Sequence, residues 1–257
     1  MTPEHAVINR TFEPADLEPL LAEANVTRTV LVQSAAIDAD TDYLFEIVAD
    51  IEFVGAVVAW LRLDAPFTCA RLHALAAQPK LRGIRHLIHQ EPDPHWILRP
   101  EVQDGLAAVA KAGLVLELPA VFPNYLGDVP ELARRHADLT IVIDHLGKPP
   151  FGTPTMTEWR RQLAAAAAHP NVAAKVSGLN TLFARGDWSA ADLAPAVEAA
   201  LESFGPGRLM LGSDWPVALL NGGYVDVLSR TADAVCAAAG DEAPEIFSGT
   251  ATRLYRL

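Results

Sequence analysis

Apolar residues gather along this chain in short runs, and between the runs they return with a helical period. The runs are TVLVQ (29–33), FVGAVVAW (53–60), LRGIRHLI (81–88), LVLELPA (114–120), LTIVIDH (139–145), NVAAKVSG (171–178) and RLMLGSD (208–214). They are β-branched or leucine-rich and mostly apolar without strict alternation, the pattern of parallel strands buried on both faces. Helices are predicted between them over 14–25, 41–50, 65–78, 99–113, 129–137, 157–170, 189–205 and 224–240, several closing on Gly or Pro. The tail APEIFSGTATRLYRL reads as a short helix, a turn at Gly249 and a last amphipathic turn.

Strands and helices alternating at intervals of roughly 30 residues imply right-handed crossovers and a parallel sheet. An open doubly wound sheet and a (β/α)8 TIM barrel both satisfy that pattern. The strand ends favour the barrel. Gln33 and Ser34, Trp60, Arg85 and His86, Asp144 and His145, Ser177 and Asp214 all sit where strands run out. A barrel collects chemistry from every strand end, whereas an open sheet concentrates it at one switch point. No glycine-rich phosphate loop follows the first strand. The 257 residues, with no linker or charge block, are expected to form a single barrel domain over 1–257. A complete barrel starts on a strand, yet the first predicted element here is the helix over 14–25, and seven strands are visible. Either strand 1 is absent, or HAVINR (5–10) is a poor substitute for it.

Composition narrows the partners. A formal net charge of −12, without a basic stripe, argues against nucleic acid and anionic membranes. Met1 to Arg10 has no apolar core and no run reaches membrane-span length, so neither a signal peptide nor a span is expected. Cys69 and Cys236 lie far apart outside any CxxC pair and read as reduced thiols of a cytoplasmic protein.

Two strand ends carry the strongest chemistry. In IVIDHLGKPP (141–150) an apolar strand delivers Asp144 and His145, and Gly147, Lys148 and two prolines make a rigid turn. Three ionisable groups at one strand mouth are the signature of a site, although a capped strand end with a satisfied histidine would use the same residues. In RLMLGSDWP (208–216), Ser213 or Asp214 could cap a helix with Pro216 in its first turn. Capping explains an acid there, but not why it directly follows a buried strand. GIRHLIHQ (83–90) offers Arg85 and His86 on opposite faces, so at most one points into the barrel mouth. His89 is expected in a long loop over that mouth. Lys175 and Ser177 share a face, and an inward lysine there is either part of an internal salt bridge, which we favour, or a site residue.

Taken together, LVQ, VGAVVAWLRLD, PKLRGIRH, VIDHLGKP, NVAAKVSGL, FGPGRLMLGSDWPV and IFSGTATRLYRL follow in an order and spacing that resembles the amidohydrolase-related family of sugar-lactone hydrolases. The resemblance runs from about residue 10 to the end. It implies a distorted (β/α)8 barrel of the metal-dependent hydrolase type and, near the N-terminus, a strand-1 His-x-His motif. This sequence has no His-x-His pair, so the visible strands would be strands 2 to 8, with His145 on strand 6 and Asp214 on strand 8.

The function so implied is hydrolysis of a sugar-acid lactone, a carboxylic ester. Asp214 is the expected base towards water and His145 the group that polarises the carbonyl or binds a metal. Arg85, His86, Lys148, Gln33, Trp60 and Trp215 are the expected substrate contacts. His145 and Asp214 are two donors where zinc needs about three protein ligands, so no cofactor or a weakly bound divalent metal, zinc foremost, is expected. The expected partners are a small lactone and a further copy of the chain in a homo-oligomer. Two other functions remain open: an inactive or ligand-binding barrel without strand 1, and a metal-dependent decarboxylase of the same superfamily.

Overall fold

The structure is a computed structural model that describes residues 3–257. One parallel sheet carries β1 (Thr29–Val32), β2 (Val54–Trp60), β3 (Leu81–Arg85), β4 (Val115–Leu118), β5 (Ile141–Ile143), β6 (Val172–Val176) and β7 (Leu209–Leu211), hydrogen-bonded in sequence order. Around it run α1 (Pro14–Glu23), α2 (Asp38–Val48), α3 (Thr68–Leu75), α4 (Pro100–Lys111), α5 (Val129–Arg135), α6 (Met156–Ala167), α7 (Ala190–Phe204), α8 (Tyr224–Ala239) and α9 (Thr250–Tyr255). All seven expected strands are present. Most are shorter at their C-terminal ends, where the chain leaves the ladder to build loops. Among the described residues β7 does not pair with β1, so the sheet curls into a barrel without closing. HAVINR does not supply an eighth strand, because Pro3–Ile8 winds into a 3-10 helix. The signal-peptide reading of the first ten residues falls partly outside the described residues. No described helix is long and apolar enough to cross a membrane.

Alternation along each strand divides the core in two. Val57, Ala59, Ile84, Leu116, Ile141, Ile143, Val172, Ala174 and Leu209 face outward into the large cluster beneath the helices. Ala56, Val58, Val115, Val142, Ala173 and Met210 face inward and meet Tyr255. The last amphipathic turn expected of the tail is the interior plug: Ala251, Leu254, Tyr255 and Leu257 fill the barrel from its N-terminal end. Gly55, at the start of β2, makes room for this plug: a Cβ there would sit 2.9 Å from Leu257 Cδ2. The expected turn at Gly249 is also corrected. Gly249 is helical (φ −56°) and joins a π-turn over Glu245–Gly249 directly to α9.

The interior is not wholly apolar. Glu117 on β4 and Lys175 on β6 point inward, with Nζ 2.5 Å from Glu117 Oε2 and 3.0 Å from Asp144 Oδ1. Tyr255 donates its hydroxyl to Glu117 Oε1 at 2.5 Å. Arg85 Nη1 reaches Asp144 Oδ2 at 3.1 Å. The favoured reading of Lys175 as an internal salt bridge is thus what the geometry contains. Burial works against the charge on Asp144, but Lys175, then Arg85 and His145, outweigh it and hold the carboxyl well below the ordinary range. Burial likewise opposes the Lys175 charge, and Asp144 and Glu117 overcome it, raising the ammonium above its usual value.

Removing one member of such a cluster leaves its partners buried and undercompensated. Lys175→Met should therefore cost about 3–5 kcal/mol of unfolding free energy in urea titrations, and a cost below 1 kcal/mol would refute the network's structural weight. Asp144 is shifted downward on folding, so its contribution is present above the unfolded value of about 3.9 and is lost as pH falls through that value towards the folded one. Stability should accordingly fall on acidification below about pH 5, with a shallower slope for Asp144→Asn.

Candidate active site

The strand mouth is organised by a left-handed turn. After β5 the chain passes through His145, Leu146, Gly147 and Lys148 at φ of +54°, +51°, +68° and +56°. Left-handed backbone costs roughly 1–2 kcal/mol per non-glycine residue, so the surroundings must hold it. They do so with the Trp159 indole donating to the Leu146 carbonyl at 2.8 Å, the Phe122 N–H donating to the Gly147 carbonyl at 2.8 Å, and a fully buried Leu146 side chain. The turn keeps Asp144 pointing into the barrel and lifts His145 above it.

His145 Nδ1 lies 2.9 Å from Ser177 Oγ at the end of β6, and its Nε2 lies 3.7 Å from Asp214 Oδ1 beyond β7. Asp214 also has a left-handed backbone, at φ +55°. The helix-cap reading of Ser213 and Asp214 does not hold. The following turn, Val217–Asn221, has no side-chain cap, and it is the backbone carbonyl of Asp214 that accepts the Ala218 N–H at 2.9 Å. The carboxylate is left for the mouth. Gly178 makes the approach possible: at φ +63°, a Cβ on it would stand 2.5 Å from Asp214 Oδ2 and 2.9 Å from His145 Nδ1. Strained backbone gathered at His145, Lys148 and Asp214 is the distribution expected of a functional site.

On the opposite rim, Gln33 and Arg85 reach across β2 to each other. Arg85 Nη2 donates to the Gln33 carbonyl, and Gln33 Nε2 donates to the Arg85 carbonyl at 3.5 Å. Gln33 Oε1, Arg85 Nε and the indole Nε1 of Trp60, on three adjacent strand ends, are buried without a hydrogen-bond partner. Trp215 packs edge-on against Phe12, with centroids 5.0 Å apart. His86 is a correction. Alternation turns it away from Arg85 into the outer core, where it stacks on Trp96 at 4.2 Å and meets Glu91 Oε1 at 2.7 Å and the Leu61 carbonyl at 3.3 Å. His89, in the loop that follows, feels the mouth: burial, then Lys148 and Arg85, push its pKa down.

Sequence reasoning missed the clamp behind Asp214. The Asn180 amide donates to the Ala218 and Asn221 carbonyls at 2.8 and 3.3 Å, and the Asn221 amide returns a bond to the Asn180 carbonyl at 2.8 Å. Asn221 also accepts from the Gly186 N–H and the Trp188 indole, at 2.7 and 3.1 Å. The loops after β6 and β7 are thereby stapled, which fixes Ser177 and Asp214 relative to one another. Tyr224 joins from α8; burial pushes its phenol pKa up, partly offset by a hydrogen bond with Ser213. Two asparagines in loops carry no local periodic signal, so only their pairing reveals them.

Among the described residues no group of three or more His, Cys, Asp or Glu side chains is placed to hold a metal. His145 and Asp214 are a pair of donors. What the arrangement offers is a carboxylate beside an imidazole, a row of unpartnered donors and acceptors, and cations around the rim.

Known proteins share this layout. A family model described as Amidohydrolase matches residues 1–257. The chain is 37% identical over 261 residues to the L-fucono-1,5-lactonase of Burkholderia ambifaria, covering 97% of this chain and 87% of that protein. It is 36% identical over 267 residues to the L-fucono-1,5-lactonase of Burkholderia multivorans, covering 98% and 88%. The crystal structure of an amidohydrolase from Burkholderia multivorans with bound zinc is similar at a TM-score of 0.91 and 33% identity, covering 100% of this chain and 92% of that one.

The contact at Gly178 can be tested directly. Gly178→Ala should drive Asp214 away from His145, seen as altered His145 ring-nitrogen shifts by NMR in a protein that still melts cooperatively. Unchanged shifts would show that the approach does not depend on the missing Cβ.

Proposed function

Because this chain belongs to the amidohydrolase family, we propose that it hydrolyses a sugar-acid lactone, using Asp214 and His145 at the strand mouth. The observation that carries the reading is the Asp214–His145 pair itself, 3.7 Å apart on the ends of two different strands and backed by Ser177. The relatives named L-fucono-1,5-lactonase make L-fucono-1,5-lactone the first substrate to offer. The same relatives favour lactone opening over decarboxylation.

Opening a lactone needs a nucleophilic water and stabilisation of the negative charge that grows on the carbonyl oxygen. In this reading Asp214 takes a proton from water as the oxygen attacks the carbonyl carbon. The Ser177 hydroxyl donates to His145 Nδ1, which leaves the Nε2–H to hydrogen-bond the carbonyl oxygen as negative charge grows on it, without giving up its proton. Collapse of the tetrahedral intermediate breaks the ring C–O bond, and the ring oxygen leaves with the proton held by Asp214. Gln33, Trp60 and Arg85 shape the substrate side of the rim at three adjacent strand ends, Lys148 adds a cation, and Trp215 forms a wall. His86, engaged in the outer core, takes no part.

Zinc requires about three protein ligands in such a site. His145 and Asp214 supply two, so the described residues do not make a full zinc site. We propose at most weak divalent-metal binding here. We also place the protein in the cytoplasm, a reading supported by two cysteines that remain free thiols.

The test is L-fucono-1,5-lactone opening followed with a pH indicator. Asp214→Asn should lower the rate by about 10²- to 10⁴-fold at unchanged melting temperature. A variant with full activity would remove Asp214 from the mechanism. A wild-type protein that binds the lactone without opening it would point to a ligand-binding barrel instead.

A further inference from the structure

Lys148 stands out among the cations of this molecule. Half-buried lysines and arginines here otherwise have partners. Lys80 donates to the Val48 and Ile51 carbonyls, Lys175 pairs with Glu117 and Asp144, Arg85 pairs with Asp144, and Arg208 binds the carbonyls of Ala167, His169 and Val172. Among the described residues, Lys148 is the half-buried Lys or Arg side chain with neither a hydrogen bond nor an ion pair. In a chain of net charge −12 a carboxylate partner would be easy to provide. The acids of the mouth are engaged elsewhere: both Asp144 oxygens are taken by Lys175 and Arg85, and Asp214 faces His145.

Its position is fixed rather than wandering. Lys148 ends the left-handed turn, its N–H bonded to the His145 carbonyl at 2.8 Å, with Pro149 and Pro150 behind it. Its side chain is therefore rooted three residues from His145. Arg85, its charge already paired with Asp144, lies at the same mouth. His89 senses both charges, which supports their convergence. A partly desolvated cation without a partner favours whatever anion can reach it, and charge-assisted contacts are the stronger class of hydrogen bond.

We infer that Lys148 is a seat for the carboxylate of an open-chain polyhydroxy acid, so that this site binds its own product in preference to a neutral ligand with the same hydroxyls. The inference rests on the lactone-opening reading for the origin of that anion. A lactone is neutral. Water adds its oxygen to the carbonyl carbon, the ring C–O bond breaks, the former ring oxygen keeps one proton as a hydroxyl, and the new carboxylic acid releases the other to solvent near neutral pH. Ring opening thus creates one negative charge at the mouth that Lys148 borders. The consequence is competitive inhibition by the hydroxy acid, and a flux that depends on whatever later reaction consumes polyhydroxy carboxylates.

Calorimetric titration of the purified full chain with sodium L-fuconate and with L-fucitol tests this, since the two share their hydroxyl pattern and only the acid carries the carboxylate. Wild type should bind the acid at least about tenfold more tightly than the polyol, a difference of about 1.4 kcal/mol. Lys148→Met should abolish that preference while leaving polyol affinity unchanged, and Lys148→Arg should retain it. The inference is overturned if wild type shows no preference or no binding of the acid, if the preference survives in Lys148→Met, or if that variant loses acid and polyol equally. Lactone opening is assayed in parallel. Turnover without acid preference sinks the carboxylate seat alone, whereas Lys148-dependent acid binding without turnover sinks the hydrolase reading alone.

Discussion

The buried carboxylate of Asp144 is the point on which this structure turns. It sits 1% exposed beneath the strand mouth, with one oxygen given to Lys175 of β6 and the other to Arg85 of β3. An unpaired carboxylate at that depth would be prohibitively unstable or would stay protonated. Two cations from strands on either side of it make its ionisation favourable, and in doing so they tie three strand ends together. Lys175 extends the tie to Glu117, and Glu117 extends it to Tyr255 of the C-terminal plug. A chain of contacts thus runs from the floor of the barrel to the residue that precedes His145.

The mouth is built on that floor by backbone that would not hold its shape alone. The left-handed residues His145, Leu146, Lys148 and Asp214 are each unfavourable, and packing offsets the cost through Trp159, Leu146 and the Asn180–Asn221 clamp. The return on that strain is direction. His145 and Asp214 leave neighbouring parts of the barrel and meet over Gly178, where any larger residue would push them apart. Rigid loops of this kind suit a reaction in which a proton passes between a water, a carboxylate and a leaving oxygen, because misplacement of about 1 Å can cost 10²-fold in rate.

Charge is distributed with the same economy. Below the mouth Glu117 and Asp144 offset Lys175 and Arg85, so the interior contributes little net field. Above it, Asp214 faces His145, and Lys148 has neither a hydrogen bond nor an ion pair among the described residues. A site with that balance discriminates between a neutral ring and its anionic opened form, which links ligand preference to the chemistry rather than to shape alone.

Much of this was legible along the chain. Apolar runs and helical periods are local properties, so the seven strands, their parallel order and the placement of Asp214, His145, Arg85 and Lys148 at strand ends could be read from neighbouring residues. Alternation also said that Arg85 and His86 must part company. It could not say which turned inward; the cage of Trp96, Glu91 and the Leu61 carbonyl decided that by holding His86 in the outer core. The Asn180–Asn221 staple spans 41 residues, and the Tyr255–Glu117 bond spans 138. Neither leaves a periodic trace, because each depends on how distant segments pack. The sequence alone determined which groups stand at the strand ends, because that depends on neighbouring residues. Tertiary packing decided which of them are used up in holding the barrel together and which, like Lys148, are left free for a ligand.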